Sequence, residues 1–520
     1  MSEKHLSNGR DTIMPQKSAY RSVFRHLKLS KSFLCIVFAI ASGISYFLVQ
    51  HLPTYIGLLS NNDDCISKTL ILISLDGFRA EYLDRGIATN LRSLGNSGVS
   101  LDMFPSFPSV TFPNHYSLAT GLYVESHGIV GNVFYDPKLN DTFVYTDPKK
   151  SWDSKWWGGE PIWVTAEKEM LKTAIYMWPG STSVIKDTVP TYLIPFQNNV
   201  DPNIKFNKLI EWLQLPSHKR PQLLATYIPE IDQVGHKFGP NSKEVEQSIM
   251  MVDEALGNFM SKLCKLNLYN KVNIVVVSDH GMAPSVVPKY VYYLEDLLLQ
   301  AGISEKDQLN LVCAISLYPL GGVRLCDESK ADYVYNGLKS IENTKAWKVF
   351  KRADIPKKYN YSKNLRIPTL LIETTGPYII EMKNKIFNKY EDTHMYESGS
   401  SIQTVGVHGY DNFSKNMRAI FLARGPNFPK KPYYKDRLSF SFMENVLNRI
   451  KGLFGYTSEE SIPYIPINHN TQDLKEGPKT NRILPKIIIN NVDVYGIIAK
   501  VFGLIPAPNN GTLSIINQIV

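Results

Sequence analysis

Three apolar runs constrain this chain most: Thr69–Leu75 (TLILISL), Leu223–Ile228 (LLATYI) and Asn273–Val277 (NIVVV). None alternates strictly with polar residues, so each reads as a strand buried on both faces, the signature of a parallel sheet covered by helices. Each run leads into a carboxylate: Asp76 follows the first, Asp232 the second and Asp279 the third. Ligands in α/β sheets collect beyond such strand ends.

Helical stretches alternate with these strands, at Asn90–Gly95, Phe112–Thr120 and Ser242–Lys265. The last carries Val245, Ile249, Met250, Val252, Leu256, Phe259 and Met260 as its apolar face. Alternation of this kind predicts an α/β fold with a mostly parallel central sheet flanked by helices. Over 283–403 the pattern becomes mixed, with shorter strands and lysine-rich helices, and reads as a subdomain inserted beside the sheet. The segment 430–486 is polar and weakly periodic, and is expected to be a long loop-rich insertion.

With 520 residues and 43% hydrophobic composition the chain can bury a large core. Its net charge of +9 is dispersed, without the basic stripe and interleaved aromatics of a nucleic-acid groove, so no stable nucleic-acid complex is expected. Part of the charge is local: Arg10, Lys17, Arg21, Arg25, Lys28 and Lys31 precede the apolar run Phe33–Val49, and no charged residue follows until Asp63. That arrangement predicts a type II single-pass protein, with a cytoplasmic tail (1–31), a signal anchor (32–50), a stalk (51–68) and a catalytic domain (69–515) that is extracellular or lumenal. The long basic leader argues against a cleaved signal peptide or a buried core helix. Sequons at Asn140, Asn360, Asn412 and Asn510 fit translocation, each weakly by itself. Of five cysteines, Cys35 falls in the anchor, and Cys65, Cys264, Cys313 and Cys326 allow three pairings that sequence does not decide.

The chemistry gathers around Thr111, a hydroxyl ahead of Phe112-Pro113 at a helix start. Asp76, Asp232, His236, Asp279, His280 and His408 supply the oxygen and imidazole donors that bind zinc. Metal coordination activates a threonine that is otherwise a poor nucleophile, so metal-assisted phosphoryl transfer is the reading these residues support. Each has an ordinary explanation alone. Asp76-Gly77 is a common turn, Thr111 a plausible N-cap, and Asp232 with His236 a solvated pair; Asp279 and His280 face one pocket only if the chain turns at Gly281. His115 and His127 read as structural or supporting residues.

The words SLDGFRAEYL from Ser74, TFPNHYSLATGLYVESHGIVGN from Thr111, GEPIWVTA from Gly159, MWPGS from Met177, DQVGHKFGP from Asp232, VSDHGM from Val277 and HGYDN from His408 resemble the ecto-nucleotide pyrophosphatase/phosphodiesterases of the alkaline phosphatase superfamily. The resemblance implies an alkaline-phosphatase-like fold and two zinc ions, one held by Asp232, His236 and His408, the other by Asp76, Asp279, His280 and the nucleophile Thr111. It further implies that Asn132 binds a phosphoryl oxygen, and that Phe112 and Tyr192 sandwich a nucleobase, with Trp178 either lining the same slot or packed in the core. Nucleotide esters, triphosphates or dinucleotides would then be cleaved to nucleoside 5'-monophosphates through a threonine-linked intermediate. Lysophospholipid or choline phosphodiesters, and an inactive binding ectodomain, are the alternatives. Set against the larger relatives, the resemblance implies a compact member with a single catalytic domain, without their cysteine-rich and nuclease-like modules.

Overall fold

The computed structural model describes residues 68–317, 319–383, 402–429 and 488–520. The expected tail, anchor and nearly all of the stalk lie outside them, as do Cys35, Cys65 and the segment 430–486. Among the described residues no helix is long and apolar enough to cross a membrane.

An eight-stranded sheet organises the fold. In chain order its strands are β1 (Leu70–Leu75), β2 (Val99–Phe104), β3 (Thr173–Tyr176), β4 (Tyr192–Ile194), β5 (Leu223–Ile228), β6 (Asn273–Val277), β7 (Ala419–Arg424) and β8 (Ile489–Asn490). Across the sheet they run β8-β2-β7-β6-β1-β5-β3-β4, and only β7 opposes the others. The three apolar runs are thus adjacent central strands, with β1 between β5 and β6 in register along its length. Every residue of all three is buried. Successive side chains feed two cores: Leu70 and Leu72 enter the one that also holds Val275 and Phe421, and Ile71 and Ile73 the one that holds Val276 and Leu422.

Helices cover both faces. They include α1 (Thr89–Asn96), α2 (Thr111–Thr120), α3 (Pro202–Leu213), α4 (Glu230–Phe238), α5 (Lys243–Lys265) and α6 (Asp493–Phe502). Helix α5 begins where its serine predicts, with the Ser242 side chain accepting from the Val245 amide. Of its expected apolar face only Met250 departs, being 45% exposed. Helix α1 has no cap of its own because Ala88 offers no side-chain acceptor. Its N-terminus is satisfied from α5 instead: Asp253 accepts the Asn90 and Leu91 amides at 2.9 and 2.8 Å.

The region 283–403 contains a four-stranded antiparallel sheet, ordered Val312–Leu317, Gly321–Leu325, Leu370–Thr374, Trp347–Lys351, over its own hydrophobic cluster. Cys313 and Cys326 are disulfide-bonded across its first hairpin, and Cys264 is free and exposed. The ordered chain runs past residue 515, since helix Leu513–Ile519 buries Ile516 and Ile519.

Asn140 and Asn510 are exposed and Asn360 is half-buried. Asn412 corrects the sequon reading: it is buried, and its Nδ2 donates to the Pro105 carbonyl at 2.8 Å, so the nitrogen a glycan would need is inside the fold.

Asp253→Ala would strand two helix N-terminal amides in a half-buried setting. It should destabilise the fold by about 1–3 kcal/mol, read from urea unfolding midpoints; an unchanged midpoint would show that solvent caps α1 equally well.

Candidate active site

Asp76 leaves β1 through Gly77, which has φ of +64° and whose Cβ, if it had one, would lie 2.7 Å from Asp232 Oδ1. The turn is thus left-handed and also crowded against a second carboxylate. Asp232 does not sit on a surface turn: it occupies the first turn of α4, buried, with His236 one turn later on the same face. Asp279 and His280 do turn into one pocket, but Gly281 acts by size and not by a positive φ. A Cβ there would lie 2.1 Å from the Asn416 carbonyl.

Thr111 is the first residue of α2. Extended Val110 holds the cap position, and no side chain caps it, so the N-cap reading of Thr111 does not hold. Asn114 fixes the approach by donating to the Pro108 and Val110 carbonyls and accepting the Ser106 amide. The Thr111 hydroxyl is left 3.4 Å from His280 Nε2. Asn132 Oδ1 accepts the Phe112 amide at 3.0 Å, which holds that side chain against the same helix end.

The three ligand-type histidines are oriented alike. Nδ1 of His236, His280 and His408 each lies 2.9 Å from a backbone carbonyl, of Gly406, Gly281 and Ser109 respectively. A carbonyl only accepts, so each Nδ1 carries hydrogen and each Nε2 is turned inward. His236 Nε2 and His408 Nε2 stand 2.9 Å apart, both as acceptors while the rings are neutral. Asp232 approaches both, at 3.3 and 3.6 Å. His280 Nε2 lies 3.0 Å from Asp279 Oδ2 and 3.5 Å from Asp76 Oδ1.

Asp76 Oδ1, Asp232 Oδ1 and Asp279 Oδ2 are all buried and lack a hydrogen-bond donor of proper geometry. Burial, then the charges of Asp279 and Asp232, push the Asp76 carboxyl well above its ordinary range. Burial acts the same way on Asp279, but His280 and His115 outweigh it and hold that group well below. Burial and the neighbouring His280 take His408 down to about 3. Acceptor lone pairs directed at one another in a buried pocket fit a cation site. Among the described residues two sets of donor atoms gather closely enough to hold a metal ion: Asp232, His236 and His408, and Asp76, Asp232 and His280. The first is the expected triad. The second joins Asp232 to Asp76 and His280; Asp279 Oδ1 accepts the Gly77 and His280 amides, and its Oδ2 lies 3.0 Å from His280 Nε2.

Two aromatic expectations change. Trp178 is buried, donating to the His115 carbonyl at 3.2 Å, which makes it core behind α2. Tyr192 is committed elsewhere, its hydroxyl donating to the Lys219 carbonyl and its ring beside Trp212. The exposed ring near the site is Phe196, 49% exposed and 6.4 Å from Tyr227. Tyr227, missed in the sequence because it sits mid-strand, donates to Asp76 Oδ2. Phe112 faces Tyr145 and Phe143.

A sheet whose central strands bring buried acids to a threonine at a helix N-terminus defines a metal-dependent phosphoryl-transfer architecture. The pattern of the type I phosphodiesterase / nucleotide pyrophosphatase family matches residues 70–411, and the chain belongs to this family of hydrolases. An uncharacterized pyrophosphatase/phosphodiesterase of Schizosaccharomyces pombe is 39% identical over 384 residues, 72% of this chain and 75% of that protein. Mouse ectonucleotide pyrophosphatase/phosphodiesterase family member 1 is 31% identical over 87% of this chain, which spans 43% of that relative. Among solved structures, murine ectonucleotide pyrophosphatase/phosphodiesterase 5, as an inactive threonine-to-alanine variant in complex with AMP, superposes with a TM-score of 0.67 at 26% identity, covering 87% of this chain and 99% of that one.

His127 lies outside the ligand cluster. It is buried, its Nδ1 accepts the Ile129 amide and its Nε2 meets Ser117 Oγ, and burial lowers it from 6.5 to about 3. Between those values the unfolded chain takes up a proton that the folded chain refuses, so this group's stabilisation is lost as pH falls below the ordinary imidazole value. His127→Gln should flatten the loss of stability between pH 6.5 and 3, followed by denaturant titration at stepped pH; an identical acid slope would contradict the assignment.

Proposed function

We propose that this chain is a membrane-anchored nucleotide pyrophosphatase/phosphodiesterase, and that Thr111 attacks phosphorus to form a threonine-linked nucleotidyl ester. The observation that carries the reading is the set of buried carboxylate oxygens and inward Nε2 atoms crowded beside a hydroxyl at a helix N-terminus. Asp232, His236 and His408 would hold one zinc ion, and Asp76, Asp279 and His280 with Thr111 a second, Asp232 lying close enough to serve both. Bound there, the two cations would stabilise the threonine alkoxide and the charge on the phosphoryl oxygens.

The protein's own groups do the rest. In the first displacement a bond forms from Thr111 Oγ1 to phosphorus as the bond to the leaving phosphate or alcohol breaks. In the second, water attacks the same phosphorus, the bond to Thr111 breaks, and a nucleoside 5'-monophosphate leaves with overall retention at phosphorus. The N-terminus of α2 offers its dipole to the phosphoryl group. Asn132, whose Oδ1 is held by the Phe112 amide, keeps its Nδ2 end for a phosphoryl oxygen. The AMP bound to the murine relative supports a nucleotide over a lysophospholipid or choline ester.

For the base, Phe112 and Phe196 are the aromatic pair we assign, in place of Phe112 and Tyr192. The anchor over 32–50 and a catalytic region on the far side of the membrane remain part of the proposal, in keeping with relatives named as ectoenzymes.

Thr111→Ala should lower kcat on a chromogenic nucleotide ester by roughly 10³-fold or more without unfolding the protein. Turnover near the wild-type rate would remove Thr111 as nucleophile. Phe196→Ala should raise KM for that ester roughly tenfold, as expected for one lost base stack, whereas Tyr192→Phe should leave KM alone; the reverse pattern would restore Tyr192 to the slot.

A further inference from the structure

His115 touches the site from behind, and no step above uses it. It is completely buried in the first turns of α2, four residues after Thr111. Nδ1 lies 2.9 Å from the Thr111 carbonyl and 3.3 Å from Asp279 Oδ2. The carbonyl requires that Nδ1 carry hydrogen, and Nε2 is paired with the Ser74 hydroxyl at 2.8 Å. The ring is fixed on two sides, edge-on to Trp178 at 5.2 Å and to Tyr227 at 4.8 Å. One imidazole therefore joins three elements that each deliver part of the site: β1, two residues before Asp76; the first turn of α2, at the nucleophile; and the segment after β6, at Asp279.

We propose that His115 is a positioning residue of the phosphoryl-transfer site, holding the Thr111 hydroxyl in place relative to the Asp76 and Asp279 carboxylates. This rests on the reading of Thr111 as nucleophile. A misplacement of the nucleophile by a fraction of the reaction distance is enough to slow attack while substrate binding, made elsewhere, is retained. The role needs a donor at Nδ1 and a hydroxyl partner at Nε2 in a rigid ring; a helix residue that merely filled space would need neither.

The test compares four full-length proteins, the wild type, His115→Asn, Ser74→Ala and His127→Asn, in saturating zinc with a chromogenic nucleotide ester, measuring steady-state kcat and KM, the pre-steady-state burst and the thermal midpoint. His127 is the control, a second buried histidine held by a serine hydroxyl but away from the ligands. His115→Asn should lower kcat and the burst rate roughly 10–100-fold, as for other residues that orient a ligand, with KM unchanged. Ser74→Ala, which keeps the ring and removes only its hydroxyl partner, should shift the same two parameters several-fold in the same direction, and so carries the test should His115→Asn not fold. His127→Asn should lower only the midpoint. The inference is overturned if the folded His115 or Ser74 variants keep the wild-type kcat, or if the control loses kcat to the same extent. An inactive wild type would instead remove the underlying phosphodiesterase reading.

Discussion

Two imidazole nitrogens face each other at 2.9 Å in the protein interior, and three carboxylate oxygens of the same site lack a donor of proper geometry. A buried unsatisfied polar atom costs about 1–3 kcal/mol, and a buried charge more. Such a cluster persists in a folded chain only because the rest of the structure holds it and because something electropositive belongs in it. Backbone carbonyls lock each ring, Gly77 and Gly281 let loops pass within van der Waals distance of their neighbours, and Tyr227 takes one oxygen of Asp76 and leaves the other free.

The sheet explains how residues so distant in sequence come together. β1 lies between β5 and β6, so acids that follow those strands converge at one edge without any long-range loop having to find its place. His408 arrives differently, at the end of the strand Gln403–Val407, which pairs with Ala283–Val287 just after His280. The pocket is thus bounded by three parallel strand ends and one antiparallel hairpin-like return. Helix α2 closes it and brings the hydroxyl.

Much of this was legible because burial on both faces is a strong signal. The continuous runs in β1, β5 and β6 could not be amphipathic strands, and the acids after them marked the edge where ligands collect. What escaped was set by tertiary contact. Helix α1 is capped by Asp253, 163 residues away from Asn90, which no local word reveals. Asp232 with His236, four residues apart, could equally have been a solvated pair, yet α4 starts at Glu230 and buries both. Tyr192 and Phe196 sit on the same short stretch, and only the fold decides that Tyr192 turns to Lys219 while Phe196 faces Tyr227. Asn412 carries a sequon, but packing removed its amide from solvent.

The central claim is that these donors exist to hold divalent cations beside Thr111. Anomalous X-ray scattering at the zinc edge from crystals of the zinc-loaded protein tests it most directly. The account predicts two peaks within one pocket, one touching Asp232, His236 and His408 and the other touching Asp76 and His280 next to the Thr111 hydroxyl. A pocket with no peak, while zinc sits elsewhere on the protein, would contradict it.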